Sequence, residues 1–476
     1  MKIALFDLDN TLVQSHALNE LRLRAETGNL TSEQLATTKL FPATVRILDA
    51  LSDQGVSLGL VTNATGAYTR QMLAHHGLAR YFPAVVTHSD VGGLGAKPSP
   101  DGIRRAMDRL RSGQAIENCI HIGGTEDDVT AAYRAGVRPI VPAWAVTQSL
   151  TLPPAIELSS DMLIQYFQKP LEFRLFGERC AQAGSLNFQR DWAWFLPLDE
   201  QANVVSITKK MRVFCLGRYF GQKSATTARL HDIHPLSKEI ARKDSDPNYQ
   251  VPDYWISMLA RIAMVGGPFV LGEGQQFDVV TVIPTKPGKP KRLEPMLKKI
   301  GALLSKAGSK ILVDDGILYF DDGCVPSLKA LRRDARPTEQ NAHLHAHPRP
   351  DLAGKNVLII DDVITSGATV NRALSLLEGY GAASYALALA KTVSILDERR
   401  ICEKCGRDMQ LRKNSQTGAR FWSCSGYQNR TCDHTEAMSV GICPRCGGEL
   451  IQRARKRDKK LFVGCRAYPH CKYIRD

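Results

Sequence analysis

The run VLIIDDVITSGATV, residues 357–370, carries the densest chemistry in the chain. Its four apolar residues at 357–360 suit a strand of a parallel sheet, which is apolar on both faces. Asp361 and Asp362 follow at the carboxyl end of that strand, where ligands bind in open α/β sheets. Thr365, Ser366, Gly367, Ala368 and Thr369 then offer hydroxyls and successive backbone N–H groups, and a helix is expected over 370–380. A loop of that kind at a helix start holds phosphate. Two acids beside a phosphate cradle suit a ribose 5-phosphate, with the acids on its 2- and 3-hydroxyls.

A second set opens the chain. IALFDLDNTL is a short apolar strand followed by Asp7, Asp9 and Thr11. Acids two residues apart at a strand end lie on the same side of it. One such carboxylate can attack phosphorus and form an aspartyl-phosphate; the other can protonate the leaving oxygen and later activate water. A hard cation such as Mg²⁺ would hold both acids near an anionic substrate. Further on, VSLGLVTNATG places Thr62 at the end of another buried strand, and GAKPSP supplies Lys97. CIHIGGTEDDVTAAYRAGV then gives a strand, a loop and Asp128 before a helix. Thr62 would hydrogen-bond phosphate, and Lys97 would offset the attacking carboxylate and the phosphoryl oxygens.

Eight of the twelve cysteines fall at position 402 and beyond, in paired spacings. Cys402, Cys405, Cys424 and Cys432 form one set; Cys443, Cys446, Cys465 and Cys471 form the next, a repeat of 41 residues between first members. Four thiolates are the number a closed tetrahedral Zn²⁺ site takes. Clustered CxxC pairs without an export signal read as metal sites rather than disulfides.

At 476 residues, 43% hydrophobic and 23% charged, the chain is globular and too long for one ordinary domain. No run reaches the roughly 18 apolar residues of a membrane span, and acids interrupt the N-terminal apolar patch too early for a signal peptide. A cytoplasmic protein with no membrane association is expected. The net charge of +14 is uneven: residues 401–476 hold sixteen Lys and Arg against seven Asp and Glu, nine of the fourteen charges. A basic tail points to a polyanionic partner, most often nucleic acid. Trp422, Tyr427, Phe462 and Tyr468 flank the cysteines and basic residues. Either these aromatics stack bases while Arg and Lys take phosphates, or they form the small cores of zinc modules that bind protein.

These motifs resemble known families. The 357–370 run resembles the signature of type I phosphoribosyltransferases, which bind phosphoribosyl pyrophosphate (PRPP) with Mg²⁺. LRRDARPTEQ, with Arg332, Arg333, Thr338 and Gln340, narrows the resemblance to the competence-protein ComF branch. Residues 1–147 resemble haloacid dehalogenase-like (HAD) phosphatases. That resemblance implies Asp7 as nucleophile, Asp9 as acid/base, Thr62 and Lys97 as phosphate contacts, and Asp7, Asp9 and Asp128 around Mg²⁺. One departure stands out: where the family writes Gly-Asp in its last motif, this chain has Gly123-Gly124, with Glu126, Asp127 and Asp128 crowding the same loop. CPRCGGELIQRARKRDKKLFVGCRAYPHC resembles the C-terminal zinc ribbons of type IA topoisomerases, which hold single-stranded DNA; the preceding four-cysteine set is a looser copy. Trp422, Phe462 and Tyr468 are the nucleic-acid contacts that this implies.

The expected fold is therefore a multidomain α/β chain: a Rossmann-like HAD domain (1–147), a linker and approach to the transferase (148–274), a type I phosphoribosyltransferase-like domain (275–397) and two zinc ribbons (398–437 and 438–476). In the approach, RDWAWFLPL and MRVFCLGRYF read as strands and HPLSKEIAR as a helix start. His231 and His234 are spaced for a metal or phosphate role but lack acid or Cys neighbours, which favours a surface or core role. In the transferase, a strand over 279–283 leads into a basic loop where Lys286, Lys289, Lys291 and Arg292 would face pyrophosphate. LEPMLKKIGALLSK has helical spacing with Leu293, Leu297, Ile300, Leu303 and Leu304 on one face. Residues 328–347, with Arg332, Arg333, Arg336 and three histidines, would close over PRPP and exclude water.

Two functions fit. One is a bifunctional Mg²⁺-dependent phosphatase and phosphoribosyltransferase acting on a nucleotide or a nucleic-acid end, tethered to single-stranded DNA or RNA. The other is a nucleic-acid-binding sensor or defence protein whose enzyme-like domains hold nucleotide ligands without turnover.

Overall fold

The computed structural model describes residues 2–24, 27–110, 118–145, 149–186, 194–206, 211–246, 249–324, 342–397 and 400–475, apart from positions 428, 444, 447, 456 and 459. The first sheet contains β1 (Lys2–Phe6), β2 (Val56–Val61), β3 (Ala84–Val86), β4 (Cys119–Ile122), β5 (Arg138–Pro142) and β6 (Ile156–Leu158). All six are parallel, in the order β3-β2-β1-β4-β5-β6. β1 and β4 are covered on both faces, so their sequences are near-continuous apolar runs. Phe6 sits opposite both Leu60 and Ile122. Asp7, Thr62 and Gly123, the first residues past β1, β2 and β4, therefore leave the sheet at its carboxyl edge.

β6 corrects the expected boundary at residue 147. The Pro/Ser-rich stretch read as a linker ends in Ile156 and Leu158, both buried, and that strand closes the first sheet against β5. Leu163, Tyr166, Phe167 and Phe173 then pack into the same core. The expected small cap between residues 13 and 41 is a two-residue strand pair with the short helices Asn19–Leu23 and Ser32–Ala36 between its strands.

The second sheet draws on residues well before 275. Its strands are β7 (Leu196–Leu198), β8 (Val213–Cys215), β9 (Arg218–Phe220), β10 (Val279–Val282), β11 (Leu312–Val313), β14 (Asn356–Ile364) and β15 (Ala383–Val393), with a separate hairpin β12 (Leu318–Phe320) and β13 (Leu344–Ala346). The order is β11-β10-β14-β15-β8-β7, with β9 on the far end of β15. Only the β7–β8 pairing is antiparallel. The approach region is thus part of the sheet rather than a tether. In helix Leu293–Lys306 the buried face is Met296, Leu297, Ile300 and Leu304, while Leu303 faces solvent.

The two α/β units share one apolar cluster, in which Val129, Tyr133 and Val141 of the first meet Val213, Phe220 and Ile364 of the second. A buried polar network crosses the same contact. The Arg218 guanidinium donates two hydrogen bonds to Glu178, at 2.7 and 2.8 Å, and a third to the Tyr133 hydroxyl at 3.0 Å.

The C-terminal region forms two antiparallel ribbons. The first has β16 (Met409–Lys413), β17 (Arg420–Cys424) and β18 (Thr435–Ala437); the second has β19 (Ser439–Ile442), β20 (Glu449–Ala454), β21 (Leu461–Cys465) and β22 (Ile474–Arg475). Asp232, on helix Ala225–Ile233, ties both to the transferase: it accepts from Arg420 at 2.9 and 3.1 Å and from Gln452 at 3.4 Å.

Candidate functional sites

In the first site Lys97 is the centre. Its ammonium lies 2.7 Å from Asp7 Oδ1 and 2.5 Å from Asp128 Oδ1, with the lysine side chain 5% exposed. Asp128 is built into a helix start: its Oδ2 accepts from the Thr125 N–H at 3.1 Å and the Thr125 hydroxyl at 2.7 Å, completing a capping box. Its Oδ1 also meets His121 Nε2 at 3.1 Å. Burial opposes the charge on Asp128, yet Lys97 and His121 hold its carboxyl far below the ordinary range. Burial, with Asp128 and Asp9 adding repulsion against the attraction of Lys97, pushes Asp7 up to about 7. Gly123 makes room for this geometry, since a Cβ there would lie 2.3 Å from the Asp128 carboxyl carbon.

Asp128, expected as a metal ligand, is thus committed on both oxygens to Lys97, His121 and Thr125. Asp9 is engaged as well. Its Oδ1 accepts from the Ser15 hydroxyl at 2.5 Å and the Tyr68 hydroxyl at 2.6 Å, and pairs with Arg22 at 2.6 Å. Thr62 Oγ1 accepts the Ala64 N–H at 3.1 Å at the same sheet edge. The Arg22, Tyr68 and His121 partners were not legible as site residues, because they come from the cap, a helix and a strand interior.

In the second site the acid pair sits inside β14 rather than beyond it, because the long β15 continues pairing out to Ile364. Asp361 Oδ1 accepts the Asp362 N–H at 2.7 Å, and Asp362 Oδ2 takes Lys243 Nζ at 2.6 Å. Burial and the adjacent Asp362 charge push Asp361 up to about 7. The loop from Thr365 to Gly367 leads directly into helix Ala368–Glu378, two residues earlier than expected; Ala368 and Thr369 open it. Gly367 is required there: its φ is +76°, and a Cβ would meet Ala202 Cβ at 2.8 Å. Lys391 Nζ donates to the Thr365 carbonyl, and the Thr365 and Thr392 hydroxyls are 3.2 Å apart.

Of the four expected pyrophosphate cations, Lys286 is half-buried and close enough to Asp361 to feel its charge, whereas Lys289 and Lys291 are exposed. Arg332, Arg333, Arg336, Thr338 and Gln340 lie outside the described residues. The histidine pair has structural duties. His231 bonds the Phe220 carbonyl at 2.8 Å and Gln222 at 2.7 Å, and His234 caps helix Pro235–Ser245 through the Ser237 N–H.

Each cysteine set converges. In the first, Cys402 and Cys432 sulfurs are 3.8 Å apart and Cys405 and Cys424 3.3 Å; in the second, Cys443 and Cys471 are 3.6 Å apart and Cys446 and Cys465 3.4 Å. All four sulfurs of each set lie within 4.8 Å of one another. Tetrahedral Zn–S bonds of about 2.3 Å place sulfurs about 3.8 Å apart, so both sets fit Zn²⁺. The aromatics divide. Trp422 is 7% exposed in the first ribbon's core, which corrects its expected role as a stacking platform. Tyr468 is 60% exposed beneath Arg453, and half-buried Phe462 lies beneath Arg455.

Three family models match separate stretches of the chain: "Haloacid dehalogenase-like hydrolase" over residues 17–141, "Phosphoribosyl transferase domain" over 326–406, and "Topoisomerase DNA binding C4 zinc finger" over 399–438 and again over 440–476. The phosphoglycolate phosphatase of Agrobacterium fabrum is 30% identical over 136 residues, 29% of this chain and 55% of that protein. Its Escherichia coli counterpart is 32% identical over 127 residues, 27% of this chain and 47% of that protein. The chain spans about half the length of the curated relatives it matches. The HAD phosphatase of Thermococcus onnurineus aligns with 22% identity and a TM-score of 0.29, covering 37% of this chain and 99% of that one. The chain therefore joins a HAD-like hydrolase domain, a phosphoribosyltransferase domain and two topoisomerase-type C4 zinc ribbons.

Proposed function

We propose that the chain is a bifunctional enzyme, a phosphatase joined to a PRPP-binding phosphoribosyltransferase, held on single-stranded nucleic acid by its ribbons. One observation carries this: Asp7 lies just past the end of β1 in the first sheet, and Asp361 and Asp362 lie just past the last β14 residue paired with β10, each on the carboxyl side of parallel strands, where such sheets bind ligands. In the phosphatase, Asp7 attacks phosphorus with Lys97 beside it to offset charge. Thr62 takes a phosphoryl oxygen, and Asp9, oriented by Arg22 and Tyr68, handles the proton of the leaving group. Three carboxylates share Lys97 and Arg22 in this buried cluster, and a divalent cation there would hold Asp7 ionised against the burial and repulsion that raise it. Asp7 and Asp9 are the carboxylates able to hold Mg²⁺. When bound, the ion would let an anionic phosphate approach Asp7.

In the transferase, Asp361 and Asp362 take the ribose hydroxyls and the N–H groups from Thr365 to Thr369 take the 5-phosphate. The 331–340 run that resembles the ComF branch lies outside the described residues, so that assignment rests on the sequence alone. On the ribbons, the exposed Tyr468 and the paired Arg453, with Phe462 and Arg455, support base stacking beside phosphate contacts. No described helix is long and apolar enough to cross a membrane.

A second reading is favoured by Gly124 and by the three donors on Asp9: a domain that binds a phosphorylated ligand without turning it over. Calorimetry with PRPP and Mg²⁺ tests the transferase half. The wild type should bind and Asp361→Asn/Asp362→Asn should not; absence of binding to folded, zinc-loaded wild type would exclude the PRPP site.

A further inference from the structure

The acid pair of the transferase centre already holds a cation of its own. Lys243 lies near the end of helix Pro235–Ser245, whose start is fixed by the His234 cap and Pro235. It stands 119 residues before Asp362, yet its ammonium is 2.6 Å from Asp362 Oδ2. The two side chains are 16% and 19% exposed, so the pair is largely enclosed but still reachable from solvent. Asp361 is turned elsewhere, accepting the Asp362 N–H at 2.7 Å. On its side stands Lys286, whose ammonium lies 5.8 Å above the Phe320 ring.

The charge balance of this cluster differs from that of a magnesium site. Mg²⁺ is strongly hydrated and is held through one or two carboxylates plus substrate phosphates. Here burial, with Asp362 beside it, raises Asp361 to about 7. Each carboxylate already has a cation near it, Lys243 on Asp362 and Lys286 on the side of Asp361. The carboxylates offer a divalent cation little excess charge, so Mg²⁺ fits this centre poorly. A lysine ammonium is a compact charge with three donors. With one donor on Asp362, Lys243 keeps two for the oxygens of an incoming anion.

We infer that Lys243 is the resident cation of the transferase centre, bridging Asp362 and the pyrophosphate oxygens, so that PRPP binds here without Mg²⁺. The inference rests on the phosphoribosyl reading of this site. Lys243 is a positioning and ligand-binding residue, and it assists departure of the pyrophosphate by holding its negative charge.

The experiment is PRPP calorimetry on the zinc-loaded full chain, in magnesium-depleted buffer without chelator and again with Mg²⁺ added. Wild type should change its Kd by less than about threefold between the two conditions. Lys243→Met should bind about tenfold or more weakly without Mg²⁺ and recover when it is added, while Lys243→Arg stays near wild type. Circular dichroism and zinc content check that each variant is folded. Wild-type binding that needs Mg²⁺, or a Lys243→Met variant that matches wild type in both buffers, would overturn the inference while leaving the PRPP site in place. No wild-type binding in either buffer would overturn the phosphoribosyl reading itself, and the inference with it.

Discussion

Gly124 is the residue on which the proposed phosphatase centre turns. It is buried beside Gly123, directly before Thr125 and the helix whose first turn carries Asp128, and it is not among the glycines with a positive φ. An Asp there meets no left-handed backbone penalty. Since Asp128 has both oxygens committed, Gly124→Asp would add a carboxylate that the centre lacks. The expected outcome is an apparent Mg²⁺ affinity for phosphate release about tenfold tighter than wild type, read from a Mg²⁺ titration of activity. An unchanged titration would mean that position 124 does not face the ion. At this scale the sequence was most legible where chemistry is local: Asp7 and Asp128 meet on Lys97 with Asp9 close by, and Asp361 adjoins Asp362, although that pair sits inside its strand rather than past its end. What it hid were partners supplied from afar. Arg22, Tyr68 and Lys243 are ordinary residues in ordinary segments, and only the packing of a cap and two helices aims them at carboxylates.

At the scale of elements, helix Glu126–Ala135 links the two α/β units. Its first turn carries Asp128, and its later turns carry Tyr133, which receives a hydrogen bond from Arg218. Burial opposes the charge on Glu178, but Arg218 and His234 hold its carboxyl well below the ordinary 4.5. A carboxylate with a depressed folded-state value stabilises the protein above about pH 4.5, and this is lost as the pH falls through the depressed value. Glu178→Gln should cost about 3–5 kcal/mol at neutral pH, because Arg218 is left buried without a counter-charge. Urea unfolding should show that gap constant above about pH 4.5 and narrowing below it. A pH-independent gap would mean that Glu178 acts through packing alone.

Strands were legible from apolar runs, but their extents were not. β14 continues through two acids because β15 offers it partners, and β6 sits in a segment whose prolines read as a break. Neither fact is local. Pairing partners and register are set by the whole sheet.

Across the whole molecule, Asp232 holds both ribbons against the transferase, so bound nucleic acid would lie at a fixed place relative to the two centres. Deleting residues 398–476 should weaken single-stranded DNA binding and flatten its salt dependence while sparing phosphate release; affinity that survives the deletion would place the binding surface elsewhere. Zinc should approach about two per chain and fall to about one in Cys443→Ser. The four-domain order was readable because each motif set is dense and self-contained. Domain limits were not, since the first sheet runs past residue 147 and the second begins near residue 196.

The measurement that tests the central claim most directly is Mg²⁺-dependent release of inorganic phosphate from p-nitrophenyl phosphate by wild type and Asp7→Asn. The account predicts turnover by wild type and its loss in the variant, with both proteins equally folded. Wild type that binds phosphate without turnover, or a variant as active as wild type, would contradict it.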